Sequence, residues 1–356
     1  MKRTVVISLS VLVLFFVALL ALPVLYEKEI NLKIKHELNS LFDAHIQYSD
    51  ADLSFIRSFP HVSISLQHFE IVGKNEFQND TLLAAPNLHL TVNLGSFFGS
   101  KAYEIKKLVV DEPTVHVVVL PSGKANWEIW KTDTTQVTDT SKMAFHWKLE
   151  KFEIVNAHVV YDYQKANMKF VIKELNHTLS GNLTADSSML DTRTKAESVT
   201  YMWDNVAYVT DAKAELNALI DANLNAMHFE ILENNSTLNE LAFTIKGWFK
   251  SIPDGWDMDL SVSTPTNDFK SILSMVPALY TGNFKEIKTG GSFGMHGKVK
   301  GLLVGDYYPA FDLQLRATDG WFQYPALPDK LEKISATIAL TNPGRTLDDT
   351  QIDVAD

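Results

Sequence analysis

The chain has 356 residues, 32 of them basic and 43 acidic, which gives a formal net charge of −11 at neutral pH. It contains no cysteine, which excludes disulfides, thiolate metal sites and cysteine nucleophiles but leaves the redox compartment open. No basic cluster occurs outside the N-terminal tip, which argues against nucleic acid as a partner. The length suits one large or two ordinary domains.

Residues 1–26 are predicted to form a cytoplasmic tip and an uncleaved transmembrane signal-anchor. Lys2 and Arg3 precede the uncharged, strongly apolar stretch 4–25, and about 20 apolar residues span a hydrocarbon core. The stretch is longer than the roughly 7–15 apolar residues of a cleaved signal peptide, and it lacks a clear small-x-small cleavage site. The positive tip keeps the N-terminus in the cytoplasm, so the remainder lies outside that membrane. The anchor residues are Val5, Leu12, Phe15, Phe16, Leu19 and Leu22.

Residues 27–44 are predicted to form an amphipathic helix. Ile30, Ile34, Leu38 and Leu41 recur at helical spacing among charged residues. This apolar stripe fits either lipid headgroups or the end of the first strands. We favour the strands, because an open sheet end exposes unpaired backbone and apolar side chains.

Residues 45–130 form the first predicted β segment, whose clearest strand is apolar at every even position. Because a strand points successive side chains to opposite faces, it has one apolar face. That face consists of Leu88, Leu90, Val92 and Leu94. Val115, Val117 and Val119 share a face of a later strand, and the DEP sequence at 111–113 predicts a turn before it. The apolar parity slips near His68, which predicts a β-bulge. These patterns together predict an antiparallel meander.

Residues 131–143 are rich in threonine, aspartate and glutamine and are predicted to be a flexible linker. Residues 144–356 continue the sheet, with one helix near 266–280 that has capping chemistry at Asp268. Two strands of this segment show an apolar face, formed by Phe311, Leu313 and Leu315 and by Ile334, Ile338 and Leu340. Ile352 and Val354 begin a further strand, so we expect the natural protein to continue beyond it.

The sequence predicts no catalytic residue, no metal site and no cofactor. The eleven histidines are scattered, and no pair has metal-ligand spacing beside a carboxylate. The glycine-rich stretch 289–298 does not match a phosphate-binding loop, because Val299 follows Lys298 and no helix follows. No Gly-x-Ser-x-Gly turn occurs. We therefore expect a protein that is not an enzyme.

Two ordered sets of segments carry a family resemblance. The first set is FPHVSISL at 59–66, the alternating strand at 87–94, IKKLVVDEP at 105–113 and GKANW at 123–127. Behind an N-terminal membrane segment, this order resembles the N-terminal region of AsmA-like proteins, which are bacterial envelope proteins related to TamB. The second set is PAFDL at 309–313, DGWFQYP at 319–325 and TNPG at 341–344, and it is similar to AsmA-like proteins of Bacteroidetes-type bacteria. The resemblance covers nearly the whole chain and is weakest between about residues 131 and 252.

The long strands share a physical feature, which is one continuous apolar face with few helices to cover it. Such faces are not stable in water. Either a second sheet covers them in β-sandwich domains, or the sheet curves into a trough, a groove lined by the apolar-face residues named above, that holds another molecule. For fold class we expect a mainly β chain with a membrane helix and an elongated, curved antiparallel sheet, and the sandwich is the alternative. Lipid tails suit a trough, because each exposed methylene costs about 0.8 kcal/mol.

The resemblance implies an inner-membrane protein with most of its chain in the periplasm. It also implies a role in outer membrane biogenesis, as a β-groove that carries phospholipid between the inner and outer membranes. The alternative is a non-enzymatic factor that regulates targeting or insertion of outer membrane proteins. The expected partners are membrane lipids, the inner membrane and outer-membrane components or further chains of the same machinery.

Overall fold

The computed structural model describes residues 35, 39, 42–54, 58, 61–93, 103–129, 145–183, 186–265, 267–276, 284–305, 307–324 and 328–355. Most of these residues are in β-strands, so the prediction of a mainly β chain is confirmed. Within these ranges no helix has the length and apolar character needed to cross a membrane. The predicted anchor at 4–25 lies outside them. Of the predicted helix at 27–44, Lys35 and Asn39 are helical, and the Asn39 amide donates to the Lys35 carbonyl at 2.8 Å. Residues 42–44 are not helical, so the predicted end of this helix is too late in the chain.

The chain divides into two compact units, of which the first ends at Val171 and the second begins at Ile172. The division falls within strand β8 (Met168–Ser180). The predicted linker at 131–143 lies outside the described residues. We call the two parts unit 1 and unit 2.

Unit 1 contains a sheet in which β3 and β4 are central. The short strands β1 and β2 both pair with β3, and β4 pairs with β3 on one side and with β5 and β6 on the other. Its strands are β1 (His45–Gln47), β2 (Asp50–Ser54), β3 (His61–Val72), β4 (Thr81–Asn93), β5 (Tyr103–Asp111), β6 (Thr114–Val119) and β7 (Phe145–Tyr163). Short 3-10 turns occur at Asn75–Phe77 and Gln164–Ala166.

The turn predicted at 111–113 does not reverse the chain, which corrects the expected meander. Both β5 and β6 pair antiparallel with β4 and parallel with β7, so they run in the same direction. Glu112, with φ 46°, and Pro113 form an irregularity between them, where the missing proline N–H is tolerated. The chain between β6 and β7 is long enough for the crossover that a parallel pair requires.

The predicted change of parity in β3 occurs at His68, which has a left-handed backbone with φ 49°. Gln67 pairs with Asn87 and Phe69 with Ala85, so the register is the same on both sides of His68. β3 and β4 are therefore irregular at the same place. The predicted β-bulge, which would have an extra residue on one strand, does not form there. As a result, Leu66 and Phe69 lie in the same buried cluster although they are three positions apart.

Unit 2 contains an antiparallel sheet in which most strands pair with the next strand in the chain. The exception is β13, which pairs with β15, as the two-residue strand β14 also does. The strands after β8 are β9 (Ser187–Trp203), β10 (Val206–Asn223), β11 (His228–Leu238), β12 (Leu241–Ile252), β13 (Gly255–Ser263), β14 (Asn267–Asp268), β15 (Lys288–Val304), β16 (Ala310–Gln323), β17 (Leu331–Asn342) and β18 (Gln351–Ala355). Short 3-10 turns occur at Phe284–Glu286 and Leu347–Asp349.

The helix predicted near 266–280 is observed as the short helix α1 (Phe269–Leu273). The Asp268 side chain accepts a hydrogen bond from the Ser271 N–H at 3.1 Å, which satisfies one of the free donors of the first turn. Phe269 and Leu273 are buried together with Phe284 and Ile287. Residues 277–280 lie outside the described residues.

Single residues with a left-handed backbone interrupt many of the long strands. Besides His68, they are Asn156 in β7, Glu174 in β8, Asp211 in β10, Gly247 in β12, Gly291 and Gly301 in β15, Asp319 in β16 and Lys333 in β17. Such residues are typical of β-bulges, which bend a strand and increase its twist. They also shift the side-chain alternation, so a strand can keep its apolar residues on one face after the irregularity.

Asparagine side chains replace backbone hydrogen bonds where the strands are irregular. In unit 1, Asn126 accepts from the Val118 N–H at 3.0 Å and donates to the His116 carbonyl at 2.7 Å. In unit 2, Asn234 accepts from the Ile245 N–H at 2.8 Å, at a point where β11 and β12 shift register. These amides satisfy backbone groups that the strand ladder leaves unpaired.

Candidate functional site: the apolar faces

The predicted groove residues of β4 lie on one face of the unit 1 sheet. Val92 pairs with Val62, Leu90 with Ile64 and Leu88 with Leu66, so six apolar side chains are aligned across β3 and β4. Leu108 and Val110 of β5 extend the same rows. Leu94 lies outside the described residues. We call this surface the unit 1 apolar face.

The predicted groove residues of β6 continue the unit 1 apolar face. Val115 pairs with Leu83 of β4 and with Val159 of β7, and Val117 pairs with Tyr161 of β7. Val119, the next residue of β6 on the same face, is buried. The Trp127 ring stacks on the Tyr161 ring, with centroids 6.2 Å apart. The GKANW segment thus lies at the end of β6. There the Asn126 side chain hydrogen-bonds the backbone of β6, and the Trp127 ring covers the Tyr161 ring.

Much of the unit 1 apolar face is a closed core. Val62 is 0% exposed, Leu66 1% and Val92 2%, and they belong to one buried cluster with side chains from β1 and β2. Leu88 and Leu90 are only partly buried and pack against this cluster. Val92 is therefore a core residue, whereas Leu88 and Leu90 keep part of their surface exposed.

In unit 2, the predicted groove residues pair across strands with many other apolar residues. The pairs form rows that cross the sheet. Leu313 pairs with Leu340 and Leu315 with Ile338, while Phe311 pairs with Val299. One row consists of Leu190, Ile220, Ile231, Gly247, Leu260, Val299 and Phe311 on seven successive strands of the sheet. A second row consists of Ile245, Val262, Gly297, Leu313, Leu340 and Ile352 on six. We call the surface formed by these rows, together with Leu315 and Ile338, the unit 2 apolar face.

Most side chains of the unit 2 apolar face are only partly buried. This holds for Leu260, Val262, Leu313, Leu315 and Ile338. Within the described residues, the buried apolar cluster of unit 2 is the small group around α1. Ile334, the remaining predicted groove residue, packs against that group and so belongs to the α1 cluster.

The faces opposite the apolar ones are charged. In unit 2, Lys300 of β15 donates to the Asp259 carboxylate of β13 at 2.7 Å, and this hydrogen bond lowers the pKa of Asp259. In unit 1, Lys107 and Lys151 both contact Glu153 and lower the pKa of its carboxyl group. Around these contacts, the face opposite the apolar one is therefore charged in each unit.

Several residues of the unit 2 apolar face were not among the predicted groove residues. They are Leu190, Ile220, Ile231, Ile245, Leu260, Val262 and Val299. The signal was the same period-two alternation, but only pairing across strands shows which alternating faces meet. The predicted anchor residues, from Val5 to Leu22, lie outside the described residues.

Two histidines of the described residues have polar side-chain neighbours. His116 lies 3.2 Å from an Asp80 carboxylate oxygen, and His177 lies 2.8 Å from the Thr194 hydroxyl. Burial lowers the pKa of His177.

Comparisons of this chain with protein-family models, with curated proteins and with solved structures found no match.

Proposed function

We propose that this chain binds lipid acyl tails on the unit 2 apolar face and takes part in moving phospholipid between bacterial membranes. In this proposal the sheet is elongated and curves into a groove whose lining is the unit 2 apolar face. The protein is held in the inner membrane by residues 4–25, with most of its chain in the periplasm. This function is the one that the AsmA-like resemblance implies.

One observation carries the proposal: apolar rows that cross up to seven strands and stay partly buried. An apolar surface of this extent is costly in water and is typical of an interaction site. An acyl tail is a suitable occupant, because it is apolar along its length and needs no hydrogen-bond partner.

The energetic argument follows from the cost of exposing methylene groups. A tail of about 16 carbons, at about 0.8 kcal/mol per methylene, loses on the order of 10 kcal/mol when it crosses water. A continuous apolar lining removes most of this barrier without any chemical step. The charged opposite face, with pairs such as Asp259–Lys300, keeps the other side of the sheet hydrated.

Site-specific photo-crosslinking in living cells tests the proposal with the full chain. A photoreactive phenylalanine analogue is placed at Leu313 on the unit 2 apolar face, and at Gln314, the next residue of β16, on the charged face. We expect phospholipid adducts, identified by mass spectrometry, at Leu313 and not at Gln314. Position 315 should behave like position 313, because Leu315 lies on the same face.

The pattern of adducts also separates the alternative function. A factor that regulates insertion of outer membrane proteins would give protein adducts at Leu313 and no lipid adducts. Lipid adducts of equal yield at Leu313 and Gln314 would also contradict the proposal, because they would indicate contact that does not depend on the face.

A further inference from the structure

The hairpin of β9 and β10 extends past its neighbour β11. β11 pairs with β10 only between Ala214 and Asn223, whereas β10 begins at Val206. Asn239, just after β11, donates its N–H to the Lys213 carbonyl at 2.7 Å, which marks where β11 ends against β10. Residues 199–210, which we call the hairpin tip, therefore extend beyond the end of β11, and burial together with the nearby Tyr208 and Tyr308 raises the pKa of Tyr201.

The turn of the hairpin tip is tight. Trp203 pairs with Val206, and the two residues between them, Asp204 and Asn205, have φ values of 46° and 62°. Two consecutive left-handed residues are characteristic of a type I′ turn, whose twist matches that of the strands. The hairpin tip is therefore narrow and well defined.

Large apolar and aromatic side chains of the hairpin tip are exposed. Val206 and Tyr208 are each 54% exposed, and Trp203 is 39% exposed. The Tyr208 ring lies 6.0 Å from the Tyr201 ring and 6.2 Å from the Trp203 ring, so three aromatic rings form one strip. Several large apolar side chains exposed close together are typical of an interaction site.

The hairpin tip carries almost no charge, which limits the kinds of surface that it can bind. Among residues 199–210, Asp204 is the only one with a formal charge at neutral pH, and none is basic. A surface that binds anionic lipid or nucleic acid carries lysine and arginine. Trp and Tyr combine an apolar ring with a polar group, and they concentrate at the level of lipid headgroups.

We propose that the hairpin tip binds a zwitterionic lipid surface, with Trp203, Val206 and Tyr208 entering the headgroup region. Insertion stays shallow, because the carboxylate of Asp204 and the outer backbone edge of β10 are costly in hydrocarbon. Binding is insensitive to salt, since no cation of the hairpin tip contributes. This contact is independent of the proposed acyl-tail site, because it requires only the exposed end of β9 and β10.

The absence of cysteine makes the test direct. Val206→Cys in the full chain is labelled with an environment-sensitive fluorophore, and the protein is held in phosphatidylcholine nanodiscs. Lipids carrying a quencher are placed in added phosphatidylcholine vesicles in one arm and in the nanodiscs in the other. Lys298→Cys, an exposed position on the charged face of β15, is the matched control.

We expect a blue shift and quenching at position 206 in at least one arm, unchanged by added salt, and no change at position 298. Adding Trp203→Ser and Tyr208→Ser to the labelled chain should abolish the response while the circular dichroism spectrum stays the same. No response at position 206 in either arm would overturn the proposal. A blue shift at position 206 that rises with protein concentration and is not accompanied by quenching in either arm would indicate contact with a second copy of the chain. That result would also overturn the proposal.

Discussion

Val92 in β4 and Leu313 in β16 have similar surroundings in the sequence and in their sheets. Each alternates with polar residues, and each pairs with apolar or glycine positions on both neighbouring strands. Val92 is nevertheless fully buried, whereas Leu313 is only partly buried. The difference shows that alternation decides which face of a strand is apolar, and that the residues above the face decide whether it becomes a core.

The side chains that cluster with the apolar face differ between the two units. In unit 1, Ile46, Tyr48 and Ala51 belong to the same buried cluster as Val92, so the edge segment with β1 and β2 contributes to the core. In unit 2 the buried cluster is the small group around α1, and rows far from α1 remain partly exposed. A closed core stabilises unit 1, whereas the apolar face of unit 2 keeps part of its side-chain surface exposed.

The largest expected effect comes from a charge on each apolar face. Val92→Glu should lower the free energy of unfolding by more than about 3 kcal/mol, because it places an unpaired carboxylate in a closed core. Leu313→Glu should cost only about 1 kcal/mol, because its carboxylate reaches water. Urea titration followed by circular dichroism measures both.

Thr91→Glu and Gln314→Glu are the matched controls, since each adds the same charge one residue away on the opposite face. Both should be close to neutral. Equal losses for Val92→Glu and Leu313→Glu would show that the two faces are equally closed, and the comparison between the units would fail.

Replacing one asparagine in each unit compares the stability cost of a lost amide at a buried site and at a partly buried site. Asn126→Ala should cost about 2 kcal/mol, because Asn126 is buried and two backbone groups of β6 lose their partners. Asn234→Ala in unit 2 should cost about 1 kcal/mol, because its site is only partly buried and water can replace the amide. Thermal unfolding of the two variants measures the difference, and a larger loss for Asn234→Ala would contradict it.

A glycine substitution in β17 should have a smaller effect, of opposite sign. Lys333 has φ 62°, which costs a lysine roughly 1 kcal/mol relative to glycine. Lys333→Gly should therefore raise the stability of unit 2 by about 0.5 kcal/mol after the entropy cost of glycine. Thr337→Gly, at a regularly paired position of the same strand, is the control and should lower stability. A loss for Lys333→Gly in thermal unfolding would show that its side chain contributes more than the strain costs.

The smallest effect at neutral pH concerns Tyr48, because its contribution changes only in alkali. Burial in unit 1 raises the pKa of Tyr48 to about 12 from its ordinary value of 10.0. The unfolded chain therefore loses this proton first, so unit 1 should lose stability as the pH rises from about 10 to 12. Tyr48→Phe should remove this part of the alkaline loss, as measured by unfolding at several pH values. An unchanged pH dependence would mean that Tyr48 is not buried.

Several features could be predicted from local sequence because their causes are local. The alternation at 87–93 specifies a strand with one apolar face, and the slip in parity near His68 specifies an irregularity there. Asp268 before an apolar helical pattern specifies the start of α1. These features depend on the period of a strand and on the hydrogen-bond needs of a helix end.

Other features depended on partners far away in the chain. Residues 111–113 have the composition of a turn, yet the pairing of β5 and β6 with β7 keeps the chain running straight on. The left-handed conformations of Glu174 and Lys333 have no signal in their residue types, because neither glutamate nor lysine favours a positive φ.

The sequence by itself determined that the strands have one apolar and one polar face, because side-chain direction alternates along every strand. Only the tertiary structure decided that Val92 of β4 is enclosed in a core, whereas Leu313 of β16 keeps part of its surface exposed. The physical reason is that burial is a property of the atoms packed over a side chain, and those atoms come from residues distant in sequence.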